Sequence, residues 1–410
     1  MKVLELPAYF YPESMSSAHL DENLRQAIVD AGMEMAIYCS TPTRGITEEQ
    51  RKEYKKRKLD KMFGGHVTVH RFSLYREGKN PVLRAFRYTL SCIRQFNCAV
   101  FSKDARSCDV MFITSTPPIK GAMAGLAKKF NRKPIVYELQ DIFPDSLAGS
   151  GLAQKGGLLW KIGRVIENFT YRNADKIIVI SEDFKRNIMA KGVPEEKIEV
   201  IYNWVDENTV QPVAKEDNPL FEEFGLSREK FTVVYAGNLG NAQNISIILD
   251  GANELPDVQF ALFGTGGLEN EVRERIEKEG LANVHLNPLQ PYERVSQVYS
   301  LGDVCVVSCK EGLGGSAMPS KTWTIMSTGR PVLANFDEGE LKTILEENDC
   351  GVFTKAGDLN GFVKAIEDLA ENKGRCEDLG KNGRQFILEN LTKEVGTQKY
   401  VDVIKSVIRK

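Results

Sequence analysis

Phe231-Thr232-Val233-Val234-Tyr235-Ala236-Gly237-Asn238-Leu239-Gly240 is the stretch that decides the fold. Phe231–Tyr235 is β-prone and lacks the polar alternation of a half-solvated strand, as expected where both faces are covered. The glycines after it, ahead of a helical stretch, mark a tight strand-to-helix turn. The same unit recurs along the chain. In the first half, strands are expected at Val3–Leu6, Met35–Cys39, Val67–Phe72, Val110–Thr114, Pro134–Leu139, Lys176–Ile180 and Ile198–Tyr202. In the second half they are expected at Phe231–Tyr235, Gln259–Phe263, Val284–Leu286, Val304–Ser308, Pro331–Ala334 and Val352–Thr354. Alternating strands and helices imply parallel sheets built of βαβ units. Thirteen strands are many for one sheet, so the pattern predicts two Rossmann-like domains facing a cleft. The division falls near 204–230, where a polar stretch with Pro212 and Pro219 has no helical periodicity. The last helix, about Thr392–Ile408, carries Val395, Tyr400, Val401, Ile404, Val407 and Ile408 at helical spacing. It follows the second domain and is expected to cross back to the first.

Composition supports this frame. The chain has 410 residues, 42% hydrophobic and 27% charged, which excludes wholesale disorder. At about 150 residues per domain, two or three domains are expected. No apolar run approaches the roughly 18 residues of a membrane span. The N-terminus opens as a strand, so no secretory signal is expected. The eight cysteines are scattered without a CxxC pair, and histidines number four. That argues against structural zinc and fits buried thiols in a reducing cytoplasm.

The net charge of -2 conceals an asymmetry. Residues 1–210 hold 32 basic and 25 acidic residues, and the rest hold 22 and 31. Within 44–107 the balance is 16 to 6. Such a face suits an anionic partner, a phosphate-rich ligand or a membrane surface, or is a solvated surface. Nucleic acid is not expected. In 82–101, a stripe of Leu83, Phe86, Leu90, Ile93 and Val100 has Arg84, Arg87 and Arg94 beside it. Its default reading is a core-facing helix; the alternative is a helix lying on a membrane.

In open α/β sheets, ligands bind beyond the carboxyl ends of the strands. The first such loop holds Ser14-Met15-Ser16-Ser17-Ala18-His19, small hydroxyl residues that either receive an anion or cap a helix. Gln140-Asp141-Ile142-Phe143-Pro144-Asp145 offers two carboxylates for hydroxyl contacts or proton transfer. Gly237-Asn238-Leu239-Gly240 and Gly264-Thr265-Gly266-Gly267, at two strand ends, suggest a ligand approached by backbone. The densest stretch is Lys310-Glu311-Gly312-Leu313-Gly314-Gly315-Ser316-Ala317-Met318-Pro319-Ser320-Lys321. Its glycines, Ser316 and Lys321 form a candidate diphosphate cradle, with Glu311 near a sugar hydroxyl. It is not a P-loop, because the required spacing is absent. No GxGxxG follows the first strand. No two aspartates lie one residue apart, so a DxD metal–nucleotide site is absent.

Taken together these motifs resemble a retaining GT-B glycosyltransferase of family 4 (glycosyl transferases group 1). The resemblance rests on Thr116-Pro117-Pro118, Asp141–Ser146, Ala174–Ser181 and Asn203–Asp206 in the first half. In the second half it rests on Gly237–Gly240, Pro319-Ser320-Lys321 and Gly329–Val332. It is nearest to the L-fucosamine-transferase-like branch of O-antigen, capsule and colanic-acid assembly. The resemblance implies an acceptor-binding domain over 1–204 and a donor-binding domain over 205–391, with 392–410 returning to the first. It implies a nucleotide-sugar donor, a UDP-sugar, and retention without a metal or other cofactor.

The implied donor contacts are Asn238, Gly240, Gly264, Gly266, Asn287, Leu289, Gly314, Gly315, Ser316, Lys321 and Thr324. Ser17, His19 and Gln140 fall on the acceptor side, and Asp141 and Glu311 in catalysis. Glu311 matches the first Glu of the family's pair. Asn238 and Gln243 stand where the family has Arg and Lys, Thr324 where it has its second Glu, and Gln140 where it has His. Lys321 is the expected replacement cation. The implied acceptor is a saccharide, possibly carried on undecaprenyl diphosphate, met by a cytoplasmic enzyme at the inner face of the membrane. The rivals are a nucleotide-sugar epimerase on the same fold and a non-catalytic accessory subunit of another transferase.

Overall fold

The computed structural model describes residues 1–13, 18–78, 80–146, 154–314 and 317–408. They form two compact units: Met1–Tyr202 with the stretch from Glu394, and Asn203–Lys393.

The first unit is built on β1 (Lys2–Glu5), β2 (Glu34–Ser40), β3 (Leu59–Met62), β4 (Val67–Phe72), β5 (Val110–Thr114), β6 (Ile135–Leu139), β7 (Lys176–Val179) and β8 (Ile198–Val200). Their order is β3-β4-β2-β1-β5-β6-β7-β8. β3 runs antiparallel to β4, with Leu59 opposite His70; every other pairing in this sheet is parallel. β3 was not expected, because Leu-Asp-Lys-Met has no apolar run. Its charges suit an edge strand, where they discourage pairing with another chain.

The second unit carries β9 (Thr232–Asn238), β10 (Gln259–Thr265), β11 (Val284–Asn287), β12 (Val304–Ser308), β13 (Val332–Phe336) and β14 (Gly351–Lys355). The order is β11-β10-β9-β12-β13-β14, parallel throughout. Every residue of β12 and β13 is buried, which is why these runs are apolar without alternation. Helix Leu359–Glu371 seats Phe362 in the same core as Phe260 and Leu379. Gly251 faces the Phe362 ring so closely that a Cβ would come within 2.9 Å of it.

The polar segment after residue 203 belongs to the second unit and is tied down by hydrogen bonds. Trp204 is buried. The Asn218 side chain donates to Gln297 O at 2.7 Å, and Arg384 donates to Val210 O at 2.9 Å. Helix Lys393–Ser406 buries Tyr400, Val401 and Ile404. Tyr400 stacks edge-on against Phe112 of β5, with centroids 6.2 Å apart.

Helix Pro81–Phe101 corrects the default expectation. Leu83, Phe86 and Ile93 are exposed, while the buried stripe is Arg87, Ser91, Cys92, Gln95 and Ala99. Arg87 is therefore not a surface cation. Its guanidinium donates to Tyr75 O and to Ser40 Oγ, each at 3.1 Å, so it can be buried without orphaned donors. Arg51 is interior too, donating to Pro42 O and Leu74 O at 2.9 Å. Part of the basic excess of 44–107 is thus structural. All eight cysteines are free; seven are buried and Cys98 is half-buried.

Candidate active site

The strand order of the second sheet reverses between β9 and β12, and such a switch point opens a crevice at the carboxyl ends of the strands. Two loops meet there. The Lys310 N–H, just past β12, donates to Ala242 O in the turn after β9 at 3.0 Å. At the end of β9, the Tyr235 hydroxyl donates to Asn238 O at 2.7 Å. Gly237 adopts φ +142°, and a Cβ there would lie 2.8 Å from Lys321 Nζ.

Lys321 opens helix Lys321–Ser327. Its Nζ stands 4.1 Å from the centroid of the Tyr235 ring. Among the described residues it has no ion pair. Desolvation, with no carboxylate to oppose it, pushes its pKa down to about 7. The amine is thus left without a counter-charge among the described residues.

The glycines beside it are demanded first by packing. A Cβ on Gly264 would sit 2.6 Å from Gly237 O, and one on Gly266 would sit 2.4 Å from Leu239 O. The close backbone approach foreseen for a ligand is therefore used by the two turns on each other. At Gly240 the neighbours are side chains: a Cβ would press on Asn238 Nδ2 and Gln243 Oε1. Asn238 donates weakly to Gln243 at 3.4 Å. The two positions that lack the family's cations thus lean on each other.

Other expected donor contacts lie further off along the sheet edge. Asn287 ends β11 beside Phe263 of β10 and donates to His285 O at 3.3 Å. Leu289 is exposed in the turn that follows. Thr324 lies one turn beyond Lys321 and is half-buried. The loop after β12 leans toward β13 and β14. Glu311 is exposed, with an oxygen 4.0 Å from Lys355 Nζ. The N–H groups of Gly312 and Gly314 donate to the two carboxylate oxygens of Asp337, at 3.0 and 2.7 Å. The Gly314 amide is thus engaged by a carboxylate where a phosphate was expected. Gly315 and Ser316 lie outside the described residues.

In the first unit, the corresponding loops follow β1 and β6. Ser17 lies outside the described residues; His19 is half-buried near the start of helix Ala18–Asp30. The Gln140 N–H donates to Ser115 Oγ at 3.1 Å, and its side-chain amide donates to Glu138 Oε1 at 2.8 Å. Desolvation raises the Asp141 carboxyl above its usual range. Asp145 differs. Lys191 pairs with it at 2.7 Å and Trp160 donates to it at 3.3 Å. Those partners outweigh its desolvation and hold its pKa below the ordinary value. Of the two carboxylates in this loop, Asp145 is the one held by the protein's own cation.

Tyr235, Asp337, Glu138 and Tyr400 were passed over in the sequence. Tyr235 and Glu138 sit inside strands read as core. Nothing local marks Asp337 as the partner of a loop more than twenty residues earlier.

Two α/β domains on largely parallel sheets, the second with glycine turns and the Lys321 amine at its switch point, have the GT-B architecture. Residues 22–204 match the glycosyl transferase 4-like domain and residues 217–386 match glycosyl transferases group 1. The chain is thus a glycosyltransferase with a glycosyl transferase 4-like domain in its first half and a glycosyl transferases group 1 domain in its second. It is 25% identical over 276 residues to the probable glycosyltransferase WbjE of Pseudomonas aeruginosa, covering 67% of this chain and 68% of that protein. It is 29% identical over 209 residues to the putative colanic acid biosynthesis glycosyl transferase WcaI of Escherichia coli K12. That match covers 50% of this chain and about half of WcaI, 51%. Among solved structures, Anabaena HepE in complex with UDP-glucose superposes with a TM-score of 0.73 at 17% identity. The match covers 99% of this chain and 100% of HepE.

Proposed function

We propose that this glycosyltransferase moves a sugar from a UDP-sugar, held by the second unit, to a saccharide acceptor held by the first. The carrying observation is the Lys321 amine, without an ion pair and stacked on Tyr235 where the glycine turns meet. A diphosphate gives that amine the counter-charge it lacks. The resemblance of the motifs adds retention of anomeric configuration and the L-fucosamine-transferase-like branch. The likeness to HepE, solved with UDP-glucose, favours uridine as the base. The likeness to WcaI favours a surface polysaccharide, capsule or O-antigen included, as the product.

In this reading the anomeric C–O bond to the diphosphate breaks as the acceptor hydroxyl forms its bond on the same face. The proton passes to the departing phosphate oxygen, and UDP leaves with the negative charges its diphosphate carried in the donor, which Lys321 meets. Asp141 and His19 orient the acceptor, and Glu311 contacts a donor hydroxyl. No metal is needed in this reading, since Lys321 meets the diphosphate and no DxD pair exists. The acceptor is lipid-linked, on undecaprenyl diphosphate, and the enzyme works peripherally at the inner face of the membrane. Among the described residues no helix is long and apolar enough to cross one.

The test is a screen of UDP-sugars with and without saccharide acceptors, in EDTA, with product anomers assigned by proton coupling constants. Transfer with retention in EDTA supports the proposal. Conversion of the donor sugar without acceptor would identify an epimerase, and absence of donor binding an accessory subunit. An affinity for UDP that drops more than about tenfold in EDTA, ~1.4 kcal/mol, would overturn metal independence.

A further inference from the structure

Three helices lie side by side on the first unit: Pro81–Phe101, Ile119–Asn131 and Leu158–Asn173. Each is built inside-out. Apart from Met123 and Tyr171, their inner faces are small or polar. Gly121 packs so tightly that a Cβ would fall 2.2 Å from Thr170 Cγ2, and one on Gly163 would fall 2.7 Å from Pro144 Cβ. The large apolar side chains point the other way. Phe86 is 61% exposed, Phe130 67%, Leu158 77% and Val165 66%. Phe130 meets Phe96 edge-on with centroids 5.9 Å apart, which joins the first two helices across their shared groove. Apolar patches on this scale are uncommon on monomers and mark interaction sites.

The charges say what covers this face. The three helices contain one acidic residue, Glu167, and it is buried against Lys191 and Tyr171. Arg84, Arg94, Lys129, Lys161 and Arg172 are exposed, and none has an ion pair among the described residues. An apolar plane fringed by unneutralised cations suits the surface of an anionic bilayer, where rings enter the acyl boundary and cations meet phosphates. A second copy of the chain fits badly, because a two-fold contact would press like charges together.

We propose that the outer face of helices Pro81–Phe101, Ile119–Asn131 and Leu158–Asn173 docks the first unit on an anionic phospholipid membrane. This deepens the reading of a lipid-linked acceptor, but docking does not depend on catalysis. It also moves the contact away from the charged stretch around Lys55–Lys61, where Leu59 stands as a single exposed large apolar side chain.

Flotation with phosphatidylcholine vesicles, with and without phosphatidylglycerol, tests this on the full chain. Binding should need the anionic lipid and be reversed by salt. Each cation contributes about 1 kcal/mol, so Arg94→Glu, Lys129→Glu and Lys161→Glu together should lower partitioning at least ~tenfold. Phe86→Ser with Val165→Ser should lower it as well. Lys55→Glu with Lys56→Glu and Lys58→Glu should leave it in place. All these side chains are exposed, and unchanged melting and UDP affinity verify folding. Equal binding to neutral and anionic vesicles at low salt would overturn the proposal. So would a dimer, by light scattering, that the same face substitutions dissolve. Transfer to a soluble acceptor is assayed separately: docking without transfer counts against the catalytic reading alone, and transfer without docking against this one alone.

Discussion

The Tyr400 hydroxyl donates to Glu138 Oε1 at 2.9 Å, and the Gln140 amide donates to the same oxygen at 2.8 Å. The C-terminal helix thus fixes the buried carboxylate that holds the Gln140 side chain. Burial, joined by the charge of Asp21, pushes the Glu138 pKa up to about 7; the two hydrogen bonds oppose this without cancelling it.

A carboxyl raised from 4.5 to about 7 binds its proton more tightly folded than unfolded. Its contribution to stability is therefore highest below pH 4.5 and declines as pH rises through 7. Glu138→Gln should flatten that decline in pH-resolved urea melts. Tyr400→Phe removes a donor to the ionised form, so it should destabilise by roughly 1–3 kcal/mol at pH 8 and by less at pH 5. A Glu138→Gln protein with the slope of the parent would refute the assignment.

Lys321 makes donor binding pH-dependent. The unliganded amine has its pKa pushed down to about 7 by desolvation, and a bound diphosphate raises it. Below pH 7 the cation already exists; above it, binding must take up a proton. Affinity for UDP should therefore weaken between pH 7 and 9 by up to about tenfold per unit, while uridine affinity stays level. Lys321→Ala should abolish the slope and weaken UDP by roughly 1.5–3 kcal/mol, with little change for uridine. Calorimetry in buffers of different ionisation heat reads the proton directly; no uptake at pH 8 would exclude this role.

Apolar runs and glycine turns made both sheets legible, because strands covered on both faces have little choice of residue. What stayed hidden was set by long-range contact. β3 has a polar edge-strand sequence, and only its pairing with β4 defines it. In helix Pro81–Phe101 the periodicity was visible but its direction was not. An apolar stripe marks one face without saying whether that face meets the core. Arg87 entered the core because the Tyr75 carbonyl and the Ser40 hydroxyl, from other segments, accept its N–H groups there. At the site, Lys321 stands out in the sequence as the cation that closes the glycine loop. The capture of that loop's Gly312 and Gly314 amides by Asp337 does not.

Gly266 and Gly267 are adjacent but should respond differently. A Cβ on Gly266 would come 2.4 Å from Leu239 O, a backbone atom that cannot swing aside, whereas Gly267 has nothing within 4 Å. Gly266→Ala should destabilise the second unit by about 1–3 kcal/mol. Gly267→Ala should be within about 0.5 kcal/mol of the parent. Thermal melts of the two variants decide it, and equal losses would mean the turns are looser than this packing requires.

Asp337 carries the last prediction. Its carboxylate takes the N–H groups of Gly312 and Gly314, so it holds the loop in the manner of a bound anion. Removing it has two consequences of opposite sign. The loop loses two charge-assisted hydrogen bonds, so Asp337→Ala should lower the melting temperature of the donor-free protein. The same change frees two amide donors and removes a negative charge near the proposed diphosphate site, so affinity for UDP should rise by about tenfold, ~1.4 kcal/mol. Affinity for uridine should not change, since it brings no phosphate to those amides. Asp337→Asn should fall between, because its amide has one oxygen to accept with where the carboxylate has two. Calorimetric titration beside thermal melts separates the outcomes. If UDP affinity drops in step with stability in both variants, Asp337 is a strut that shapes the cradle, and the amides of Gly312 and Gly314 are not phosphate ligands.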